Sequence, residues 1–159
     1  MSNPRPYRIG VIGAGECSRE SSRIAEDVGK QIASREAILV CGGMGGVMEA
    51  AAKGAKEAGG TTVGILPGLD AQSANPYIDI PIVTGMGEAR NVIIVRTSNA
   101  VIAVSGGPGT LSEIAFCLKL GVPLVGIQTW NVDPAVYRAD SAEEAVDLAF
   151  RLIEQKKKI

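Results

Sequence analysis

An α/β fold is expected, with one doubly wound parallel sheet and helices on both of its faces. Three observations predict it. Short apolar runs alternate with longer helical patterns from end to end, which is a βαβ rhythm. The apolar runs are continuous, as strands buried on both faces require. Each glycine-rich loop follows a strand, so these loops gather on one edge of the sheet, where such folds bind ligands.

The elements follow in order. Tyr7–Ile12 reads as a strand, and Gly13-Ala-Gly15 turns the chain. Ser18–Ser34 reads as a helix, with Ile24, Val28 and Ile32 spaced for one apolar face. Ala37–Val40 is the second strand, followed by the loop Cys41–Gly46. Val47–Ala58 is an Ala-rich helix closed by Gly59-Gly60, and Thr61–Leu66 is the third strand. Pro67–Tyr77 is a polar loop, long enough to suggest a function. Asp79–Val83 is a short strand, Gly87–Ser98 a helix and Ala100–Val104 a strand. Thr110–Leu120 is a helix stopped by Gly121, and Val122–Ile127 a strand. A short edge strand fits within Val132–Ala139. Ser141-x-x-Glu144 starts the last helix, which runs to about Gln155.

Composition bounds the function. At 159 residues the chain suits one domain, 1–159, with a real core. Hydrophobic residues make up 46% and aromatics only 4%, so that core is aliphatic. Net charge is −1, and the Lys156–Lys158 run reads as a solvated tail, so no nucleic-acid partner is expected. The absence of histidine removes His triads, His metal sites and His acid–base chemistry. No metal site is expected. Cys17, Cys41 and Cys117 lack metal spacing and read as reduced thiols of a cytoplasmic protein. Met-Ser-Asn-Pro-Arg-Pro lacks the apolar stretch of a signal peptide, and no run is long enough to span a membrane.

The most informative run is Val101-Ile-Ala-Val-Ser-Gly-Gly-Pro-Gly-Thr-Leu-Ser-Glu113, a strand, a tight loop and a helix. Gly106, Gly107 and Gly109 let a ligand approach the backbone, and the N–H groups of the helix start, with Thr110, form an anion seat. Glu113 sits one turn in. It either faces the ligand or closes a capping box with Thr110. Gly42-Gly-Met-Gly-Gly46 places four glycines in five residues. Gly43, Gly45 and Gly46 read as a second backbone cradle or as an unusually tight crossover. Glu49 reads as a surface residue that complements the helix dipole.

Gly13 and Gly15 form a G-x-G without the third glycine of a dinucleotide fingerprint, and no acidic residue follows strand two. NAD is not expected, whereas a phosphate or ribose contact is. Arg90 falls in the first turn of its predicted helix, where the dipole disfavours a cation, which points to a bound anion. Asn91 beside it supplies a donor and an acceptor. Cys17 and Cys41 follow adjacent strands and are a weak redox pair. Trp130 and Tyr137 read as packing or edge residues.

With these residues in place the chain resembles the Lonely Guy (LOG) family, and more broadly the Rossmann-like group that carries a lysine-decarboxylase label. The resemblance covers nearly the whole chain. The family's P-G-G-x-G-T-x-x-E motif matches residues 105–113 except for Ser105 in place of Pro. It implies a Rossmann-like fold and a phosphoribohydrolase that splits the N-glycosidic bond of a nucleoside 5′-monophosphate. It also implies Arg90 and Glu113 as the catalytic pair, and a homodimer or homotetramer with its contact at the helix holding Val92-Ile-Ile-Val95. Two departures stand out. Asn91 follows the arginine where the family has Lys, and Met86-Gly-Glu-Ala-Arg90 is one residue longer than M-x-x-R. Ala-Arg-Asn is closer to a sister branch similar to molybdenum-cofactor carrier proteins, which bind without cleaving. No cofactor is required by either reading, and a bound nucleotide or molybdenum cofactor suits the site. Lysine decarboxylation is excluded, because that chemistry uses a His-Lys pair.

Overall fold

The computed structural model describes residues 4–159, so the first three residues of the segment read as lacking a signal peptide lie outside it. The strands are β1 (Arg8–Gly13), β2 (Ile38–Cys41), β3 (Thr62–Leu66), β4 (Ile80–Val83), β5 (Ala100–Val104), β6 (Leu124–Ile127) and β7 (Val136–Arg138). The helices are α1 (Arg19–Ser34), α2 (Val47–Glu57), α3 (Asn91–Thr97), α4 (Pro108–Leu120) and α5 (Ala142–Lys157). All seven strands pair in parallel, in the order β4-β3-β2-β1-β5-β6-β7.

Alternate residues of each strand feed two cores, as the pleat dictates. Ile9, Val11, Leu39, Ile102 and Val104 pack under α1, α2 and α5. Ile12, Val40, Val101 and Ala103 pack under α3 and α4. The Rossmann-like α/β architecture expected from the sequence is therefore present. The chain winds outward from β1 through β2 and β3 to β4, then returns to β5 on the other side of β1. The loops after β1 and β5 leave toward opposite faces, which opens a crevice at their C-terminal ends. Among the described residues no helix is long and apolar enough to cross a membrane.

Three local expectations are corrected. The predicted helix Gly87–Ser98 is a 3₁₀ turn, Gly87–Arg90, followed by α3. Gly87 has φ +57°, and Arg90 is the N-cap of α3 rather than part of its first turn. The motif helix starts at Pro108, two residues before the predicted Thr110, with Gly107 as its N-cap. Proline suits the first helical position because its missing N–H has no intrahelical partner to lose. Thr110 and Glu113 therefore form no capping box, and Glu113 lies in the second turn. In α5, by contrast, Ser141 caps Glu144 N–H as expected, although the helix runs on to Lys157. The long polar loop contains a 3₁₀ turn at Ala71–Ser73, capped by Asp70.

Candidate functional site

The loop after β5 is built from two residues with positive φ, Ser105 at +53° and Gly106 at +122°. A side chain at Gly106 would collide with Thr110, since a Cβ there would sit 2.5 Å from three of its atoms. Ser105 N–H donates to Ile127 O at 3.0 Å. Proline fits neither demand: its φ is fixed near −65° and it has no N–H. Proline could therefore not replace Ser105 on this backbone. Among the described residues, the N–H groups of Gly106, Gly107, Gly109 and Thr110 find no acceptor.

The start of α4 forms one wall of a cleft of about 360 Å³. Gly107, Pro108, Gly109, Thr110 and Glu113 line this wall, and Gly13, Ala14 and Gly15 after β1 line another. Met48, Glu88, Arg90 and Asn91 complete the lining. Arg90 and Glu113 thus share one cleft without forming an ion pair. Arg90 Nε donates to Ile65 O at 2.8 Å, Nη2 to Gly42 O at 3.4 Å, and Nη1 to Asn91 Oδ1. A Cβ at Gly42 would sit 2.7 Å from Nη2, so that glycine makes room for the guanidinium. Asn91 is 3% exposed and its Nδ2 donates to Ser112 Oγ at 3.1 Å, tying α3 to α4.

Thr110 and Glu113 are 2% and 7% exposed, and neither side chain has a hydrogen-bond partner among the described residues. Burial pushes the Glu113 carboxyl up to about 8, against the pull of the Arg90 charge. Burial also lowers Arg90, opposed by Glu113, Cys41 and Glu88. At neutral pH the cleft therefore holds a fixed cation and a carboxyl that is mainly protonated, able to donate a hydrogen bond.

The remaining expected residues lie elsewhere. Gly43, Gly45 and Gly46 are outside this cleft. A Cβ at Gly43 would meet Leu66 at 2.5 Å, and one at Gly46 would meet Ala14 O at 2.2 Å. Val47 N–H donates to Ala14 O at 3.0 Å, so the β2–α2 loop is pressed onto the β1–α1 loop. Close backbone contact and φ +62° account for Gly46, and φ +75° beside the Leu66 side chain accounts for Gly43. Gly13 is likewise required by packing, because a Cβ there would meet Val47 at 2.5 Å. Gly46 and Gly15 border a larger groove, about 970 Å³, over α1 and α2. Its Glu26, Lys30 and Lys53 are spent on one another.

All three cysteines are free, and burial pushes Cys41 and Cys117 up to about 12, so neither is a thiolate nucleophile. Among the described residues no His/Cys/Asp/Glu group could hold a metal ion. Sequence reasoning missed Met48, Glu88 and Asn75. Asn75 Nδ2 donates to Met44 O at 2.8 Å and props the Gly42–Gly46 loop. A lone Asn in a polar loop carries no signal for that role.

Residues 6–156 match the family model described as the SLOG cluster4 family. The chain belongs to that family. Among its relatives, this SLOG cluster4 protein is 51% identical over 140 residues to an uncharacterized protein of Archaeoglobus fulgidus, covering 88% of this chain and 92% of that one. A cytokinin riboside 5′-monophosphate phosphoribohydrolase of Mycobacterium tuberculosis is 39% identical over 122 residues, covering 70% of this chain and 65% of that protein. The chain spans 51% to 65% of the length of the phosphoribohydrolases it matches. Among solved structures, the molybdenum cofactor binding protein of Rippkaea orientalis is 37% identical with TM-score 0.90, covering 95% of this chain and 99% of that one. The molybdenum cofactor carrier protein of Chlamydomonas reinhardtii is 39% identical with TM-score 0.84, covering 94% and 99%. The expected place of this SLOG cluster4 member, LOG-like and close to the carriers, is therefore shown.

Proposed function

We propose that this protein binds a phosphorylated small molecule of the molybdenum-cofactor type in the cleft between the β1 and β5 loops, as cargo, without cleaving it. The observation that carries this reading is the pair Thr110 and Glu113. Both are nine-tenths buried, both line the cleft, and neither has a described hydrogen-bond partner. A hydroxyl and a protonated carboxyl beside free amides at a helix N-terminus form a donor set, which suits phosphate oxygens. Gly107, Gly109 and Thr110 amides would take the phosphate, Gly106 would shape the loop, and Arg90 would supply the positive charge. Asn91 would hold Arg90, and Gly13 and Gly15 would form the opposite wall. Hydrolysis through an oxocarbenium-like state commonly works with two carboxyl groups, one protonated as general acid and one ionised as base or nucleophile. Here Glu113 is mainly neutral, and the other carboxylate lining the cleft, Glu88, is exposed.

A second reading, phosphoribohydrolase, is favoured by one observation: Arg90 and Glu113, the pair the LOG resemblance assigns to catalysis, line the same cleft. Titration with isolated molybdopterin and with nucleoside 5′-monophosphates, followed by product analysis, separates the two. Binding with no free base is expected. Free base released at a steady rate would overturn the carrier reading. In the same titrations Arg90→Ala should weaken binding by roughly 1.5–3 kcal/mol, the loss of a charge-assisted contact. Unchanged affinity would remove Arg90 from the site.

Residues 1–159 are taken as one domain, with no nucleic-acid partner, in a reducing, cytoplasmic setting that free thiols suit. A homodimer or homotetramer is part of the same proposal. The helix expected to make the contact buries Ile94 and Val95 within the protomer, whereas Ile80, Ile82, Val83 and Met86 are exposed along the β4 edge, with Leu69 beside them at 87% exposure. Exposed apolar edges are normally covered. Sedimentation at micromolar concentration should give a dimer or larger, and Ile82→Lys should shift it toward monomer. A wild-type monomer would contradict this.

A further inference from the structure

We infer that Thr129 and Trp130, on the loop between β6 and β7, are positioning residues that hold the anion-binding loop in its working conformation. This deepens the reading above and rests on it. The two residues reach the loop from outside the cleft and touch it at two carbonyls, two residues apart. Thr129 Oγ1 donates to Ser105 O at 2.5 Å. Trp130 Nε1 donates to Gly107 O at 3.2 Å, an oxygen that also accepts Leu111 N–H at 3.0 Å.

The geometry explains why two clamps are needed. Ser105 stands at φ +53°, a conformation that a residue with a side chain adopts only at a cost. A trans peptide points its C=O and its N–H in opposite directions. By taking Ser105 O, Thr129 turns the Gly106 N–H away from the β6–β7 loop. Trp130 acts two residues on, at Gly107 O. The Gly107–Pro108 peptide has no N–H, so Gly107 O fixes only the direction in which α4 begins. Together they set the aim of the helix start whose Gly109 and Thr110 amides meet the cleft. Neither side chain lines that cleft. Trp130 is 38% exposed, so its indole is not there to fill a core.

The test uses full-length protein with inorganic phosphate and adenosine 5′-monophosphate as probes, read by calorimetric titration alongside thermal unfolding. Thr129→Val removes the hydroxyl at nearly constant shape and should weaken binding by about three- to tenfold, the usual range for one hydrogen bond. Thr129→Ser keeps the hydroxyl and should retain wild-type affinity. A merely structural role would lower the unfolding midpoint of Thr129→Val and leave its affinity for the probes unchanged. Trp130→Phe should also weaken binding, and it carries the test if Thr129→Val does not fold. Wild-type affinity in Thr129→Val or in Trp130→Phe would overturn this inference alone. Wild-type protein that binds neither probe would overturn the anion site, and the inference with it.

Discussion

Replacing Glu113 by Gln should stabilise the folded protein at pH 8 and flatten its pH dependence. The carboxyl is 7% exposed, and burial raises it from an ordinary 4.5 to about 8. Between those values the unfolded chain has released the proton and the folded chain retains it. Stability therefore falls as pH rises from 4.5 to 8 and is level above that. At about 1.36 kcal/mol per pH unit the full effect approaches 5 kcal/mol as a ceiling. A neutral amide of the same shape escapes this cost but brings its own desolvation, about 1–3 kcal/mol. A net gain of about 2 kcal/mol at pH 8 is expected. Glu26 and Asp79 are shifted downward, so their contributions are lost below this window, and buried Cys41 and Cys117 act above it. Denaturant titrations at pH 5 and pH 8 check the prediction. Equal slopes for wild type and Glu113→Gln would mean that the carboxyl is ionised in the fold. A stabilising substitution here also fits the functional reading, since binding sites commonly hold groups that the fold alone would not choose.

What could be read from the sequence depended on whether the signal was local. The strands were legible because apolar runs such as Val101–Val104 are buried on both faces whatever surrounds them. The switch point followed from the βαβ order and the glycine loops. The start of α4 was misplaced because glycines on either side of Pro108 outweighed the one helix-start signal, proline at the first position. Arg90 was placed by an argument about the α3 dipole that does not apply, since it precedes that helix. Its guanidinium reaches back to carbonyls at the ends of β2 and β3, a contact 25 to 48 residues distant. The packing at Gly43 and Gly46 was not legible, since a Cβ there would meet Leu66 and Ala14, which lie far off in the sequence. Burial of Glu113 was illegible for the same reason. The groups around it, Arg90, Cys41 and Cys117, come from three separate parts of the chain.

Gly54→Ala should destabilise the protein by about 3 kcal/mol or more, the upper range for overpacking, although alanine favours helix by about 1 kcal/mol. A Cβ at Gly54 would lie 1.9 Å from Glu26 O, and one at Gly29 would lie 1.9 Å from Ala51 O. α1 and α2 therefore touch backbone to backbone at two points, and no side-chain rotation can relieve the clash. The helices must separate, which would loosen Ala25, Val28, Ala51 and Ala55, all at most 1% exposed. Gly59→Ala is the control. Gly59 has φ +76° but open space around it, so its substitution costs about 1–2 kcal/mol of backbone strain and no clash. Equilibrium unfolding of both variants checks the difference. A Gly54→Ala protein as stable as wild type would place the two helices further apart than described here. The effect should extend to the site. α1 and α2 carry the Gly13–Gly15 and Gly42–Gly46 loops, joined where Val47 N–H meets Ala14 O. Those loops supply the cleft wall opposite α4 and the space beside Gly42 in which Arg90 lies. Separating the helices pulls on both at once, so a folded Gly54→Ala protein should lose phosphate affinity without any change to a residue that lines the cleft.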